Sequence, residues 1–349
     1  MNVNQDLVTD VIQKVLENLL EEEKSAVAEP LGDGIYQTIG EAVEGAVLAQ
    51  KRLISMTLAQ RDKMIAAIRK AALDNNEKLS AMAIRETKLG RFEDKIKENI
   101  LCSTKTPGTE DIPSFAKSGD DGLTLLEYAP IGVIGSLTPI TNPTGTVIHN
   151  SISMIAAGNA VVFNPHPSAR ETSISLVRLL HQAIVDVGGP AGLISVVNHP
   201  TLETAREIME HPKVNMLVAT GGKAVVNAVL RSGKKAIGAG AGNPPVLVDE
   251  TANIRNAAKS IIDGASINNN IFCTCEKEVI AVDEVADCLI KFMQETGKAC
   301  LLTPDDAKKV TELVVTREGG INPAFIGKNV QVILKEIGIE VGEECRLAI

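Results

Sequence analysis

IGVIGSLTPITNPTGTVIHNSISMIAAGNAVVFNP, residues 131–165, contains two short apolar runs with a helical segment between them. The runs are Ile131–Leu137 and Ala160–Phe163, and apolar residues recur at helical spacing over Val147–Ala157. Short apolar runs are typical of buried strands, and strands that alternate with helices usually pair in parallel. The stretch therefore predicts a strand–helix–strand unit.

The same alternation continues towards the C-terminus. The further apolar runs are Ile194–Val197, Met216–Ala219 and Val246–Val248. The further helical segments are Ile174–Val187, Leu202–Met209 and Ala224–Leu230. Together they predict an α/β fold with a mostly parallel, doubly wound sheet, in which ligands bind at the carboxyl ends of the strands. A second series of strands and helices is predicted after Gly242.

The region before residue 131 is predicted to be mainly helical. Residues 39–99 are rich in alanine and repeat at helical spacing, which predicts about three helices. The segment Arg85–Arg91 is predicted to end a helix, with Gly90 at its terminus. Residues 114–130 are predicted to form a polar loop followed by an extended segment over Leu123–Tyr128.

Length and composition restrict the class of protein. The chain has 349 residues, 44% of them hydrophobic, which is enough for two domains with globular cores. The formal net charge of -9 argues against a nucleic-acid partner, and aromatic residues at 2% argue against base-stacking surfaces. The sequence has no apolar run long enough to cross a bilayer, so no membrane partner is predicted. Six cysteines are too few for a disulfide scaffold and are typical of reduced thiols in the cytoplasm.

A cysteine with the placement of a reactive thiol follows the helical segment Ala257–Ser266. Residues 268–278 read NNNIFCTCEKE and place Cys273 between a helical segment and the strand-like run Val279–Val282. The thiolate is the reactive form of cysteine, and backbone N–H groups or a nearby cation stabilise it. The pattern alone also fits a buried cysteine, because most free cysteines behave as small hydrophobic residues. We predict that Cys275 is structural.

Two other motifs do not support a binding site. Gly238–Gly242, GAGAG, lacks the strand–GxGxxG–helix order of a dinucleotide fingerprint and the acidic residue that follows it. Cys273 and Cys275 have no histidine near them in the sequence, so no metal site is predicted.

Four motifs in one order resemble the aldehyde dehydrogenase superfamily. They are TPITNP at 138–143, GNAVVFNPHP at 158–167, ATGG at 219–222, and the asparagine-rich stretch with Cys273. Within that superfamily the segments 86–91, 105–112 and 273–277 are similar to the CoA-acylating aldehyde dehydrogenases of bacterial microcompartments, of the propanediol- and ethanolamine-utilisation type. The resemblance extends from about Val3 to the last residue and implies two doubly wound Rossmann-type domains.

The resemblance also implies a division of the chain. The predicted parts are an amphipathic targeting helix at 1–20, a linker at 21–34, a nucleotide-binding domain at 35–240 with a bridging extended segment at 115–130, and a catalytic domain at 241–349. The catalytic domain is expected to be incomplete, because the family continues beyond Ile349 with a segment near the nicotinamide ribose and a strand that pairs with a neighbouring subunit.

The targeting helix is predicted from an apolar stripe that includes Leu7, Val11 and Leu19. It resembles an encapsulation peptide that docks on a microcompartment shell protein, which implies a location in the microcompartment lumen within the cytoplasm. An ordinary helix packed on its own domain fits the stripe equally well. The full-length family also implies a homo-oligomer.

The resemblance assigns roles to individual residues. Cys273 would attack the aldehyde, and the Asn142 amide with the Cys273 N–H would hold the oxyanion, although Asn142 also fits a turn before Pro143. NAD would accept the hydride and coenzyme A the acyl group. The residues that would bind the nucleotide are Thr138, Pro139, Ile140, His166, Pro167, Thr220, Gly221, Gly222 and Gly240. For Gly221 and Gly222 a plain strand-to-helix turn is the alternative.

One departure from the superfamily bears on the reaction. Hydrolytic members carry a glutamate just before a glycine pair, and it activates water against the thioester; the matching position here holds Gly238. A CoA thiol needs less help than water does, so the sequence favours acyl transfer. The predicted reaction is oxidation of propionaldehyde or acetaldehyde to acyl-CoA. The alternatives are a hydrolytic aldehyde dehydrogenase and a catalytically inactive, truncated cargo protein.

Overall fold

A six-stranded parallel sheet forms the centre of the computed structural model, which describes residues 33–349. The predicted targeting helix at 1–20, and the linker as far as residue 32, lie outside the described residues. No helix in the described range is both long and apolar enough to span a membrane.

A short strand and a group of helices precede the main part of the sheet. They are β1 (Ile35–Tyr36), α1 (Ile39–Leu53), α2 (Leu58–Asp74), α3 (Asn76–Thr87) and α4 (Phe92–Lys105). Capping boxes at Thr38 and Thr57 satisfy the first N–H groups of α1 and α2. The three or so helices predicted over 39–99 correspond to α1, α2 and α3, and the additional helix is α4, which begins at Phe92 and extends beyond that range.

The end of α3 differs from the prediction that placed Gly90 at the helix terminus. The helix ends at Thr87, and the left-handed residue that follows it is Lys88, with φ 61°. Gly90 lies further on, with φ 82°, and packs against residues of the second half of the chain. Glycine is thus required at position 90 by its contact with Asn268, and not by the end of the helix.

Residues 115–126 form an antiparallel hairpin. Its strands are β2 (Phe115–Gly119) and β3 (Gly122–Leu126), joined by Asp120 and Asp121. The prediction of a polar loop after Ser114 is wrong for Phe115–Gly119, because this segment pairs with the extended segment that was predicted. Every residue of both strands is exposed.

The remaining strands of the main sheet alternate with helices. In chain order the elements are β4 (Val133–Thr138), α5 (Pro143–Ala156), β5 (Ala160–Pro165), α6 (Arg170–Asp186), β6 (Ile194–Val197), α7 (Leu202–Glu210), β7 (Met216–Thr220), α8 (Lys223–Leu230) and β8 (Lys235–Ala239). The strand order is β1-β6-β5-β4-β7-β8, with every neighbouring pair parallel. The chain moves outward from β4 to β6 and then returns to β7, so the strand order reverses between β4 and β7. A ligand crevice is expected beside the carboxyl ends of these two strands.

Residues 245–349 form two separate parallel strand pairs with helices. The elements are β9 (Pro245–Val248), α9 (Ile254–Ala265), β10 (Glu278–Ala281), α10 (Asp283–Glu295), β11 (Ala299–Cys300), α11 (Pro304–Val314), α12 (Val330–Lys335) and β12 (Leu347–Ala348). Strand β9 pairs with β10, and β11 pairs with β12. The predicted division at 240/241 falls between the last strand of the main sheet and β9.

The hydrophobic core is unequally distributed. Its largest cluster packs α1, α2, α5 and α6 against the main sheet and includes Ile39, Ile148, Phe163 and Leu180, each almost fully buried. Residues 245–349 contribute two smaller clusters, one around Ile262 and Leu289 and one around Leu334. The main sheet is therefore the more extensively packed support for a binding site.

Candidate active site

The turn that carries Cys273 begins with an unusual backbone. Helix α9 ends at Ala265, and a 3-10 turn spans Ile267–Asn270. Within it Asn268, Asn269 and Asn270 have φ angles of 52°, 56° and 59°. Left-handed backbone is unfavourable for most L-residues and is tolerated best by glycine and asparagine. The run of asparagines therefore fits a tight reversal directly before the cysteine.

Side-chain hydrogen bonds hold this reversal against helix α4. Asn268 is fully buried; its N–H donates to Oδ2 of Asp94 at 3.0 Å, and its Oδ1 accepts from the N–H of Arg91 at 2.8 Å. A Cβ at Gly90 would lie 1.8 Å from Oδ1 of Asn268, so this contact requires glycine at position 90. Residues 90–94 thus contact the cysteine turn through backbone and side-chain groups.

The other two asparagines also bind groups in the C-terminal part of the chain. Nδ2 of Asn269 donates to the carbonyl oxygen of Gly327 at 2.8 Å and to Oδ1 of Asn329 at 2.9 Å. Nδ2 of Asn270 donates to the carbonyl oxygens of Ala265 and Glu276, at 2.7 and 2.9 Å. These bonds close the turn on both sides of Cys273.

Lys277 completes the closure from the C-terminal side. Its Nζ donates to the carbonyl oxygen of Phe272 at 2.8 Å and to that of Asn270 at 3.0 Å. Asn270 Oδ1 accepts a further bond from the same ammonium at 2.6 Å. The Lys277 ammonium therefore binds two carbonyl groups, those of Asn270 and Phe272, on the N-terminal side of Cys273.

The two cysteines of the turn differ in accessibility. Cys273 is exposed, whereas Cys275 is buried with its Sγ 3.9 Å from the carbonyl oxygen of Ile267. Burial raises the pKa of the Cys275 thiol, which disfavours its thiolate. Among residues 33–349 no acceptor binds the backbone N–H of Cys273. The exposed thiol and a free N–H therefore occur at the same residue.

Gly242 packs directly on the backbone of Cys273. A Cβ at Gly242 would lie 2.0 Å from the carbonyl oxygen of Cys273. A Cβ at Gly238 would instead meet Val226 of α8 at 2.7 Å, so position 238 faces that helix. The whole segment 232–248, which includes both glycines, contains no Asp or Glu that could act as a general base.

Asn142 occupies the N-cap of helix α5. Its Oδ1 accepts from the N–H of Gly145 at 2.9 Å, and Pro143 follows at the first helical position. The capping bond is made by Oδ1, so the Nδ2 group takes no part in it. No hydrogen bond of Nδ2 occurs within the described range. Asn142 thus serves the predicted turn and still has a free donor.

Most of the predicted nucleotide residues lie at the carboxyl edge of the main sheet. Thr138 ends β4, and Thr220 ends the adjacent strand β7. His166 follows β5, and Gly240 follows β8. Because neighbouring parallel strands end at the same edge, the structure brings these four residues to one side of the sheet, where the strand order reverses.

Two local features of this edge fit a bound nucleotide. The hydroxyl of Thr138 is buried and has no hydrogen-bond partner in the part of the chain that the structure describes. A Cβ at Gly222 or at Gly240 would meet no atom within 4 Å, so backbone at these positions is open to a ligand. An unpaired buried hydroxyl and open glycines suit a polar ligand that approaches the backbone closely.

The environments of the other predicted residues at this edge do not by themselves point to a ligand. Pro139 is buried and Ile140 is half-buried in the turn after β4, while Pro167 is exposed after β5. His166 accepts a hydrogen bond from the N–H of Ser168 at its Nδ1, and burial lowers the pKa of the imidazole. Gly221 donates its N–H to the carbonyl oxygen of Ala239 at 3.0 Å, which extends the pairing of β7 with β8 by one residue.

Sequence reasoning missed the ion pair formed by Lys95 and Glu98. Both residues belong to α4 and are buried, and Nζ of Lys95 lies 3.2 Å from Oε2 of Glu98. Burial raises the pKa of Glu98 to about 7, with Lys95 opposing the shift. The available signal was a polar stripe along α4, but such a stripe usually indicates the solvent-facing side of a helix.

Comparison with known proteins identifies the family. The model of the aldehyde dehydrogenase family matches residues 25–313. An acetaldehyde dehydrogenase (acetylating) of Bilophila wadsworthia is 46% identical over 367 residues, which cover 100% of this chain and 75% of the relative.

Solved structures agree with this match. A propionaldehyde dehydrogenase of Rhodopseudomonas palustris, crystallised with bound CoA and an acylated cysteine, is 47% identical with a TM-score of 0.87, over 91% of this chain and 73% of the other. A propionaldehyde dehydrogenase from the fucose utilisation microcompartment of Clostridium phytofermentans is 46% identical with a TM-score of 0.86, over 90% and 72%. The chain therefore belongs to the aldehyde dehydrogenase family, among its acylating members, which confirms the predicted resemblance and α/β fold.

Proposed function

We propose that the protein oxidises a short-chain aldehyde, propionaldehyde or acetaldehyde, with NAD and CoA to give the acyl-CoA and NADH. The observation that carries the proposal is the exposed Cys273, which has a free backbone N–H in a turn closed by Lys277 and three asparagines. The Bilophila relative is an acetylating enzyme, and the Rhodopseudomonas structure has CoA and an acylated cysteine, which supports the same reaction here.

The chain's own groups account for the first step. The Cys273 thiolate forms a bond from sulfur to the carbonyl carbon, and the π electrons of the carbonyl move to its oxygen. The Cys273 N–H and Nδ2 of Asn142 supply hydrogen bonds to that oxyanion, because both donors are otherwise free. The oxyanion then collapses to a carbonyl as hydride leaves the carbon, and a thioester remains on Cys273.

Two external molecules complete the reaction. NAD supplies the hydride acceptor when bound, and CoA supplies the thiol that takes the acyl group from Cys273. The residues proposed to hold the nucleotide are Thr138, Thr220, Gly222 and Gly240 with their neighbours at the carboxyl edge of the sheet. No carboxylate of segment 232–248 is available to activate water, which favours transfer to CoA over hydrolysis.

NADH formation from propionaldehyde tests the proposal, measured with and without CoA. We expect CoA-dependent turnover in the wild type, none in Cys273→Ala, and turnover close to wild type in Cys275→Ala. The latter is a matched control, since Cys275 is buried two residues away. Equal turnover without CoA would indicate the hydrolytic reaction. NAD binding without turnover in the wild type would indicate the inactive cargo protein.

We also propose that residues 1–20 direct the protein to a microcompartment shell, where it would act as a homo-oligomer in the lumen. The Clostridium structure comes from a microcompartment enzyme, which supports this setting. Deletion of residues 1–20 should abolish co-purification with shells and leave NADH formation unchanged. Shell recovery at the wild-type level after the deletion would contradict the proposal.

A further inference from the structure

A buried lysine lies between the two loops that carry Cys273 and Asn142. The Lys95 side chain is 0% exposed. Its Nζ donates to the carbonyl oxygen of Thr141 at 2.6 Å, and it lies 5.2 Å from the centroid of the Phe272 ring. The second distance is within the range of a cation–π interaction.

These two contacts join parts of the chain that are far apart in sequence, and each contact is to the residue just before a candidate oxyanion donor. Thr141 directly precedes Asn142, and Phe272 directly precedes Cys273. We call residues 139–142 the Asn142 loop and residues 271–277 the Cys273 loop. A single ammonium group thus contacts the residue before each candidate oxyanion donor.

Burial of the Lys95–Glu98 pair carries a high desolvation cost for a purely structural element. Moving an ammonium and a carboxylate out of water costs several kcal/mol each, and well-packed apolar side chains often replace such pairs without loss. The compensation is also incomplete, because Oε1 of Glu98 is buried and has no partner among residues 33–349. An energetic cost of this kind is consistent with a geometric role for the charge.

We propose that Lys95 is a positioning residue that holds the Asn142 loop and the Cys273 loop at the separation where their free N–H groups meet on the same oxyanion. The inference rests on the proposed function, since the oxyanion forms only when an aldehyde adds to Cys273. Lys95 itself contacts backbone and ring atoms of the two loops, so it acts through Asn142 and Cys273.

Other cations near the site have different contacts. The Lys277 ammonium donates hydrogen bonds to Asn270 and Phe272 in the cysteine turn, and the Arg91 guanidinium donates to Asn269 of the same turn. Neither contacts the Asn142 loop through a hydrogen bond in the described range. Lys95 is therefore the cation whose removal should change the relation between the two loops.

Lys95→Met tests this role through two measurements that should change and two that should stay the same. Amide hydrogen exchange should accelerate about tenfold in peptides from both loops, because each loses a contact to the same ammonium. The single-turnover rate of NADH formation at saturating NAD and aldehyde should fall about 10- to 100-fold, since loss of one oxyanion donor costs about 100- to 1,000-fold. The KM for NAD and the rate of Cys273 alkylation by iodoacetamide should stay within about threefold, since neither requires the oxyanion.

Two further variants separate positioning from folding. Phe272→Leu keeps apolar volume and the Lys95–Thr141 bond, so it should accelerate exchange in the Cys273 loop alone. Lys105→Met removes an exposed lysine from the same helix and should change neither readout. Lys105→Met controls for a change elsewhere in α4, and Phe272→Leu shows whether each loop depends on its own contact with Lys95.

Each outcome decides the inference. Faster exchange in both loops with a selective loss of the single-turnover rate supports it. Exchange that changes in one loop or in neither, or alkylation that falls in parallel with turnover, overturns it. An inactive wild type would refute the proposed function instead, and the exchange data would still show whether Lys95 joins the two loops.

Discussion

Gly242 packs on Cys273 so closely that a methyl group at position 242 would lie 2.0 Å from the Cys273 carbonyl oxygen and 3.4 Å from its Cα. The main sheet ends at Ala239 and β9 begins at Pro245, so this contact occurs where the chain passes from one sheet to the next. The backbone position of Cys273 is thus set by the segment that joins the two sheets as well as by its own turn.

Gly242→Ala should therefore displace the Cys273 backbone. A displacement of about 1 Å at a reacting group can cost about 100-fold in rate, so we expect CoA-dependent NADH formation to fall at least about tenfold. Gly119→Ala is the matched control, because a Cβ at Gly119 meets no atom within 4 Å. Wild-type rates in Gly242→Ala would show that the Cys273 turn adjusts without loss.

The left-handed backbone of the cysteine turn should be measurable at Asn269, whose φ is 56°. Asn269→Gly and Asn269→Ala both lose the bonds to Gly327 and Asn329, so they differ mainly in the cost of the left-handed conformation. We expect the alanine variant to be about 1–2 kcal/mol less stable than the glycine variant in urea unfolding. Equal stabilities would mean that the turn relaxes to another conformation in both.

The unpaired hydroxyl of Thr138 gives a test of nucleotide binding. Thr138→Val keeps the shape of the side chain, and the hydroxyl has no protein partner in the described range, so the melting temperature should not fall. If the hydroxyl binds the nucleotide, the Kd for NAD should rise about fivefold or more. Isothermal titration calorimetry measures this directly.

Ser151→Ala is the matched control for that measurement. The Ser151 hydroxyl is also buried without a partner among residues 33–349, but it lies in the second half of α5, away from the helix start that follows β4. Its replacement should leave the Kd for NAD unchanged. A similar loss of affinity in both variants would point to a general effect of the packing around β4 and α5.

The buried Glu98 predicts a pH dependence of stability. Burial raises its pKa from an ordinary 4.5 to about 7, Lys95 opposes the shift, and Asp94 adds to it. The folded protein then binds this proton more tightly than the unfolded chain does, so this group's stabilising contribution is lost as pH rises from about 4.5 to about 7. Glu98→Gln has no proton to lose and should not show this decline.

Urea unfolding at pH 5, 6, 7 and 8 tests the expectation. The free energy of unfolding of Glu98→Gln relative to wild type should rise with pH, by at most about 1.4 kcal/mol per pH unit below pH 7. Glu93→Gln, an exposed position on the same helix, should follow the wild-type curve. Parallel curves for Glu98→Gln and wild type would show that Glu98 is ionised throughout this range.

The sequence predicts the elements that are buried on both faces. Strands β4 and β5 appear as uninterrupted apolar runs, because a parallel sheet covered by helices requires them. Strand β8, with the sequence KAIGA, was not predicted as a strand, since only Ile237 among its residues has a strong strand preference. Its strand conformation follows from pairing with β7, which no local pattern reveals.

The chemistry of the site is only partly visible in the sequence. Cys273 and Asn142 were found through their motifs, and their roles remain predictions. Lys95 was missed because α4 is inverted relative to an ordinary amphipathic helix. Its buried face carries Lys95, Glu98 and Asn99, whereas Ile100 and Leu101 are exposed. Hydrophobic periodicity assigns the wrong face in such a helix, and only tertiary contacts correct it.

The close packing of Gly242 on Cys273 restricts where peptides can be inserted into this protein. The crossing 240–244 is short and packs against Cys273, so peptide insertions or changes of length there would displace the thiol. The hairpin turn at Asp120 and Asp121 is exposed and distant in the sequence from every proposed catalytic group. Tags, reporters or tethers for immobilisation therefore belong at the hairpin, while the crossing has to keep its natural length.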